Sequence, residues 1–279
     1  MDKKIYYVAG LPRSGSTLFM NILNQNPEFH GTASSGLIDV LVNARDTFDN
    51  NPFFKAMSED ENNARRHGAL RALMQGYFAG VSEPVCFDKN RTWPRAFELL
   101  SWLYGKENVK MIICVRDMRD ILASFEALHR KTEASGSSTT QTRTAPLHSM
   151  TSLGRAEFLM GDDQVVGSAR AFLLDAITRG WGDNMYCLDY DHLCSEPAKV
   201  MDSIYEFLGE QRFEHDFDNV ETVTKEDDRI HGFVGLHDIR AKVEPQPPRW
   251  PEIYDNTVIT HPWWVGFAKT ATFWRPQQT

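Results

Sequence analysis

The residues best suited to chemistry lie near the start of the chain, in the stretch GLPRSGSTL at positions 10–18. An apolar run at residues 5–9 precedes the stretch and a helical pattern follows it, which predicts a strand, a tight turn and a helix. In that layout free backbone N–H groups and the positive end of the helix point at an anion. The arginine and hydroxyl groups in the turn favour an anion-binding loop over a turn where glycine only supplies backbone freedom.

Gly10 and Gly15 have the spacing of a Walker A phosphate-binding loop, but Ser16 stands where that loop has its lysine. Arg13 brings a positive charge into the turn instead. We therefore predict a phosphate cradle that works without the lysine that usually reaches the β- and γ-phosphates of ATP. Its predicted anion-binding residues are Arg13, Ser14, Gly15, Ser16, Thr17 and Leu18.

A second phosphate motif follows a nearly continuous apolar run at residues 109–115, which is typical of a central parallel strand. The stretch RDMRDILAS begins there at Arg116 and ends at Ser124 inside a predicted helix. A guanidinium fork and a serine hydroxyl suit a phosphate dianion. Alone, the stretch would indicate an Arg–Asp cluster at a helix start. Since open α/β sheets bind ligands at strand carboxyl ends, the two motifs together predict one shared site.

The two motifs together resemble the nucleotide site of sulfotransferases that use 3′-phosphoadenosine 5′-phosphosulfate (PAPS). PRSGSTL is similar to the 5′-phosphosulfate loop, closest to the tyrosylprotein and bacterial branches, and residues 116–124 fill every fixed position of the 3′-phosphate motif. The resemblance covers roughly residues 5–130 and 184–209. It implies PAPS as the co-substrate, adenosine 3′,5′-bisphosphate (PAP) as the product, and sulfuryl transfer without a metal.

The resemblance also implies roles for residues outside the two motifs. Lys89 matches the family's lysine, which reaches the oxygen that bridges sulfur and phosphorus. Tyr190 matches a tyrosine beside the nucleotide, although a buried strand residue with a satisfied hydroxyl fits its position equally well. Arg240 and Lys242 belong to a late basic stretch and are candidate phosphate contacts.

The general base is where the sequence departs from the family. Arg91 occupies the position of the histidine in the cytosolic branch, and Ser34 that of the glutamate in the tyrosylprotein branch. The candidates nearby are Asp39 and His30, ranked equally, with Asp88 below them. A histidine has the more suitable ordinary pKa for a base. The acceptor therefore stays open among a carbohydrate, a lipid or small-molecule alcohol, and a protein tyrosine.

Composition narrows the class of protein. The 279 residues are 42% hydrophobic and 24% charged, with a net charge of −8, which argues against a broad nucleic-acid surface. No apolar run is long enough to span a bilayer, and the first apolar segment is too short for a signal peptide. The four cysteines lack C-x-x-C spacing, so we expect a reduced, cytoplasmic protein. The histidines form no H-x-H or H-x-x-x-H pair, which predicts no metal site.

The predicted architecture is a P-loop-like three-layer α/β/α domain with a mostly parallel central sheet, formed by residues 1–279 as a single domain. We predict a loop at residues 31–36, since these residues are small and polar. The Ser- and Thr-rich stretch within residues 132–163 predicts a flexible lid or a solvated insertion. Residues 213–279 predict an irregular C-terminal segment. The oligomeric state has no signature in the sequence.

Two other functions fit part of the sequence. A P-loop kinase or NTPase is supported by the glycine spacing and by an apolar strand that ends at Asp88, but Ser16 in place of lysine opposes it. A non-catalytic nucleotide-binding protein would keep the phosphate cradle and lack the base. Mg²⁺-dependent ATP turnover distinguishes the first alternative, and PAP binding without any transfer distinguishes the second.

Overall fold

A five-stranded, wholly parallel sheet forms the centre of the protein. The structure is a computed structural model that describes residues 2–136 and 145–254. The strands are β1 (Lys4–Gly10), β2 (Phe29–Ser34), β3 (Val85–Lys89), β4 (Met111–Val115) and β5 (Met185–Asp189). Across the sheet they run in the order β2-β3-β1-β4-β5.

Helices cover both faces of the sheet, which confirms the predicted α/β class and the mostly parallel sheet. In the described ranges the helices are α1 (Ser16–Leu23), α2 (Leu37–Asn50), α3 (Pro52–Lys55), α4 (Glu59–Tyr77), α5 (Phe97–Tyr104), α6 (Met118–Ala134), α7 (Ser152–Leu159), α8 (Val165–Thr178), α9 (Tyr190–Ser195), α10 (Pro197–Leu208) and α11 (Trp250–Ile253). Tyr6 and Val8 pack under α1, α9 and α10, while Tyr7 and Ala9 face the larger core under α2, α4, α5, α6 and α8.

The loop prediction for residues 31–36 was wrong, because β2 occupies most of that stretch at the edge of the sheet. Its small residues serve close packing: a Cβ on Gly31 would lie 3.1 Å from the Met20 side chain and backbone of α1. The Asn24 side chain bonds both the N–H and the carbonyl of Gly31. An edge strand that packs this closely carries few β-branched residues, so its composition imitates a loop.

The two irregular stretches of the sequence contain short helices where the structure describes them. A 3-10 helix (Ala145–Ser149) and α7 follow α6, and residues 137–144 lie outside the described ranges. The C-terminal stretch contains a 3-10 helix (Asp228–His231) and α11, and residues 255–279 lie outside as well. The lid within residues 132–163 and the single-domain organisation stay predictions. Among the helices described, none combines the length and the apolar character that a membrane crossing requires.

Candidate functional site

The turns that follow β1, β3 and β4 open into one cavity of about 1710 Å³. Both predicted phosphate motifs contribute to its wall, as do the start of α9 and the C-terminal segment from Glu226 to Arg249. Parallel strands bring their carboxyl ends to one edge of the sheet, which is where open α/β folds bind ligands. The two motifs therefore meet at a single site.

The turn after β1 is held tightly against β4. The Ser14 hydroxyl donates to the carbonyl oxygens of Leu11 and Cys114, at 2.5 and 3.0 Å. Gly10 has φ +126, and a Cβ there would lie 2.1 Å from the Cys114 carbonyl oxygen. A side chain at this position would push the turn away from the sheet, so glycine is required for the close approach.

The first turn of α1 presents backbone donors to the cavity. The first bond within the helix runs from Phe19 N to Gly15 O, at 2.9 Å. The N–H groups of Ser16, Thr17 and Leu18 therefore have no acceptor inside the helix, as at any helix start. Together with the helix dipole they form a site suited to an anion.

Gly15 is required both by its backbone and by a neighbouring ring. Its φ is +84, and a Cβ there would lie 2.3 Å from the Tyr190 ring. We expect Gly15→Ala to cost about 1–2 kcal/mol through the left-handed backbone alone, and to weaken PAP binding further by displacing Tyr190. Thermal melts and PAP titrations of the variant measure the two effects.

Gly180→Ala is the matched control for that substitution, because Gly180 has φ +80 and open space around it. It should lower the melting temperature by a similar backbone cost and leave PAP binding unchanged. Equal PAP affinity in the Gly15→Ala and Gly180→Ala variants would contradict the role given to the Tyr190 contact.

Arg13 links the two phosphate motifs directly. It is the non-glycine residue with positive φ (61°) within the described chain, a backbone strain of the kind found at functional sites. Its Nε donates to the Ser124 hydroxyl at 3.0 Å, and its Nη1 donates to the Leu236 carbonyl. The loop after β1, the helix after β4 and the C-terminal segment are thus joined through one side chain.

Three arginines lie close to one another in this cavity. Arg13, Arg116 and Arg249 all line it, and the pKa of Arg13 is lowered to about 10 by burial and then by the charge of Arg116. Arg116 lies over Tyr190, with Cζ 4.3 Å from the ring centroid. In the parts of the chain that the structure describes, the buried Arg116 Nε has no hydrogen-bond partner. Crowded guanidinium groups with a free donor suit a multiply charged anion.

Lys89 ends β3 at the floor of the cavity. Its side chain is 8% exposed, and Nζ lies 3.4 Å from both Thr17 Oγ1 and Glu226 Oε1. Burial lowers the pKa of Lys89, and the carboxylate of Glu226 opposes that shift. The lysine therefore stands between the start of α1 and a carboxylate from the C-terminal segment.

A family model described as a sulfotransferase domain matches residues 4–245. The chain belongs to the sulfotransferase family. Family membership confirms the resemblance seen in the sequence and makes this protein a sulfotransferase. No curated protein sequence matches the chain.

Solved structures, two of them described as sulfotransferases, share the fold at low sequence identity. The sulfotransferase domain from the curacin biosynthetic pathway is 17% identical with a TM-score of 0.50, over 92% of this chain and 89% of that chain. A mouse sulfotransferase complexed with PAP is 13% identical with a TM-score of 0.52, over 96% and 83%. Retinol dehydratase in complex with androsterone and inactive cofactor PAP is 14% identical with a TM-score of 0.52, over 98% and 80%.

The fold of this sulfotransferase does not bring the three predicted base candidates to the described wall of the cavity. His30 lies in β2 opposite Cys86, three residues before Lys89 along the neighbouring strand, which is roughly 10 Å away. Asp39 is exposed in the first turn of α2. The reason is the unpredicted strand β2, which holds this stretch at the edge of the sheet where a loop was predicted.

Asp88 has a structural role in the sulfotransferase core. It is fully buried and accepts a hydrogen bond from Trp93 Nε1 at 2.8 Å. Burial raises the pKa of the Asp88 carboxyl to about 6. The bond fixes the 3-10 helix (Trp93–Ala96) that follows β3, so the carboxyl supports the fold beneath the cavity.

Titratable side chains that the sequence did not single out lie close to Lys89. Glu226 Oε2 is 3.5 Å from His237 Nε2, and His237 Nδ1 lies 2.5 Å from Asp228 Oδ1. Glu226 also accepts a bond from the Ser34 backbone N–H. All come from the irregular stretch 226–238, where no periodicity marks a residue as inward-facing. The acidic and histidine-rich composition of EDDRIHGFVGLHD was the available signal.

Arg240 and Lys242 also line the cavity, from the C-terminal side. Lys242 Nζ forms an exposed ion pair with Asp218 at 2.9 Å. Arg240 is exposed, on the side of the cavity where Tyr190 lies. Their contacts with a phosphate stay predictions.

Proposed function

We propose that this sulfotransferase moves the sulfuryl group of PAPS to an acceptor hydroxyl. The observation that carries the proposal is the hydrogen bond from Arg13 to Ser124 beside Arg116, since it joins the two phosphate motifs in one cavity. One adenosine with phosphates at its 3′ and 5′ positions has the chemistry to engage both. PAP in two structures of the same fold supports that nucleotide. Family membership favours this function over a kinase or a non-catalytic binder.

The transfer itself requires alignment and charge stabilisation. The acceptor oxygen forms a bond to sulfur as the bond from sulfur to the bridging phosphate oxygen breaks, and PAP leaves with that electron pair. The backbone donors of α1 and the ammonium of Lys89 would stabilise the charge that develops on the leaving phosphate. Because Lys89 and Thr17 lie together at the start of α1, we place the bridging oxygen beside them. These groups supply the charge stabilisation without a metal.

We assign the general base to His237. Asp228 accepts from its Nδ1 side, which leaves Nε2 facing the space between Glu226 and Lys89. A carboxylate that orients a histidine in this way sets the tautomer whose Nε2 can take a proton. The acceptor proton would pass to Nε2 as the new oxygen–sulfur bond forms. Glu226 holds Lys89 in place until the nucleotide arrives.

We expect activity to fall at acid pH with a midpoint below the ordinary imidazole value of about 6.5. Burial lowers the pKa of His237 and the charge of Lys89 adds to that effect, while Asp228 and Glu226 oppose it. A base works only when neutral, so kcat should rise as pH passes upward through the lowered pKa. His231 Nε2 also lies near Glu226, 3.7 Å from Oε2. Initial rates from pH 4.5 upward test this.

His237→Gln should lower kcat by about 100- to 10,000-fold, the usual contribution of a general base, and should remove the acid limb. His231→Gln is the matched control, because that imidazole is exposed and lies 3.7 Å from the same carboxylate. If His237→Gln kept the acid limb of the wild-type protein, the base would have to be another group.

The proposed activity is tested by incubating the protein with PAPS and one acceptor from each open class. A sugar, a long-chain alcohol and a tyrosyl peptide cover the carbohydrate, lipid and protein alternatives. PAP release that depends on one of these acceptors supports the proposal and identifies the acceptor class. Acceptor-dependent hydrolysis of ATP with Mg²⁺, without PAPS consumption, would favour a kinase or NTPase instead.

A further inference from the structure

A cluster of possible metal ligands joins α6 to the segment that follows it, and none of its three residues lines the described nucleotide cavity. His129 and Glu133 are one helical turn apart, and His148 approaches them from the 3-10 helix Ala145–Ser149. His129 Nε2 lies 3.3 Å from Glu133 Oε1, and His148 Nδ1 lies 3.1 Å from the same oxygen. The three ligand atoms all fall within 4.8 Å of one another.

These separations match a tetrahedral metal site. Zn²⁺ binds histidine nitrogen and carboxylate oxygen at about 2.0–2.1 Å, so two ligands at the tetrahedral angle lie about 3.3 Å apart. The two separations from Glu133 Oε1, 3.3 and 3.1 Å, already have this value, and the two imidazole nitrogens lie within 4.8 Å of each other, so an ion requires only a small movement of one ring. Imidazoles with a single carboxylate favour zinc and its transition-metal neighbours over Mg²⁺ or Ca²⁺, which prefer oxygen ligands.

The charges around the cluster permit a cation. Arg155 is the nearby positive group, but Glu126 holds it through two bonds, from Nε at 2.7 Å and from Nη2 at 2.8 Å. His129 is only 4% exposed, which keeps one ligand rigid and shielded from water. Glu133 is open enough for an ion to enter from solvent.

We propose that His129, Glu133 and His148 bind one Zn²⁺ or similar divalent transition-metal ion, with solvent in the fourth position. The ion would tie the 3-10 helix Ala145–Ser149 to α6, the helix that also carries Ser124. It would act on the structure of the cavity wall and take no part in sulfuryl transfer. Histidine spacing in the sequence did not reveal this site, because His148 is distant from His129 along the chain and lies near it only in the folded structure.

The chain contains a natural comparison for an ordinary His–Glu contact. His192 and Glu196 have the same helical spacing and the same 3.3 Å separation. Within the described residues, His129, Glu133 and His148 form the one cluster of three potential metal ligands. The His192 pair therefore shows what the contact looks like without a third ligand.

The test is a titration of chelator-treated full-length protein with Zn²⁺ by calorimetry and with Co²⁺ by visible absorption. We expect one ion per chain, with the absorption of four-coordinate Co²⁺, and a higher melting temperature after Zn²⁺ addition. Glu133→Gln and His148→Ala should each weaken Zn²⁺ binding by at least about 100-fold. Loss of a residue that only supports a metal ligand costs up to about 100-fold, and loss of a ligand itself should cost at least as much. His192→Ala should bind as the wild-type protein does.

Glu133→Gln keeps the proposal testable if His148→Ala fails to fold, because Glu133 is 45% exposed and its amide is isosteric. Wild-type protein that binds no Zn²⁺, or variants that bind it as tightly as wild type, would overturn the assignment. PAP binding by the metal-free protein separates this result from the nucleotide proposal.

Discussion

Replacing Lys89 with alanine should lower kcat for PAPS-dependent transfer by about 100- to 1000-fold, the cost of removing one donor to a developing negative charge. The effect should be larger on kcat than on KM, because the charge on the bridging oxygen develops mainly in the transition state. Steady-state kinetics with PAPS and the acceptor identified in the panel measure both constants.

Two further variants separate catalysis from stability in the Lys89 experiment. Lys89→Ala leaves the Glu226 carboxylate without its paired cation, which lowers the stability of the fold. The double variant, Lys89→Ala with Glu226→Gln, also removes the unpaired negative charge of Glu226. The double variant should regain melting temperature while kcat stays low. Lys199→Ala is the surface control, since Lys199 is 75% exposed and pairs only with Glu196 among the ion pairs described. A kcat for Lys89→Ala near that of Lys199→Ala would contradict the catalytic role.

Replacing Arg116 with alanine should weaken PAP binding by about 10- to 150-fold, the loss of a hydrogen bond to a charged group. The loss should be specific to the 3′-phosphate, because the unpartnered Arg116 Nε lies in the motif assigned to it. Adenosine 5′-monophosphate lacks that phosphate, so the variant should bind it nearly as wild type does. Calorimetric Kd values for both nucleotides and both proteins form a double-mutant cycle.

Arg119→Ala is the control within the same motif. Arg119 pairs with Asp117 at 2.5 Å, lies over Trp250 and is absent from the described cavity wall. Arg119→Ala should therefore bind both PAP and adenosine 5′-monophosphate as tightly as the wild-type protein does. If Arg116→Ala weakened both nucleotides by the same factor, the 3′-phosphate would have to bind elsewhere.

Much of the fold follows from local sequence patterns. The apolar runs that became β1 and β4 are long and buried on both faces, so their composition alone predicts central strands. β2 was missed because an edge strand with close helix contact uses glycine and small polar residues. β-Strand propensity describes an average strand. At position 31 glycine is favoured for a different reason, because β2 approaches Met20 of α1 closely there.

The nucleotide side of the site was predictable because each phosphate motif is contiguous in sequence. Arg13 and Arg116 each stand in a turn whose geometry is set by the strand before it. The acceptor side was not, because Glu226 and His237 come from an irregular segment more than a hundred residues from Lys89. That segment reaches the cavity only through tertiary contacts of the folded chain, such as the hydrogen bond from Arg13 to the Leu236 carbonyl.

We propose that one doubly phosphorylated adenosine occupies the cavity where the two motifs meet. Calorimetric titration of the wild-type protein with PAP, ADP and ATP plus Mg²⁺ tests it most directly. We expect one PAP per chain, bound at least about tenfold more tightly than ADP because a 3′-phosphate adds charge-assisted bonds, and unaffected by a chelator. ATP with Mg²⁺ binding as tightly as PAP, or PAP failing to bind, would contradict the claim.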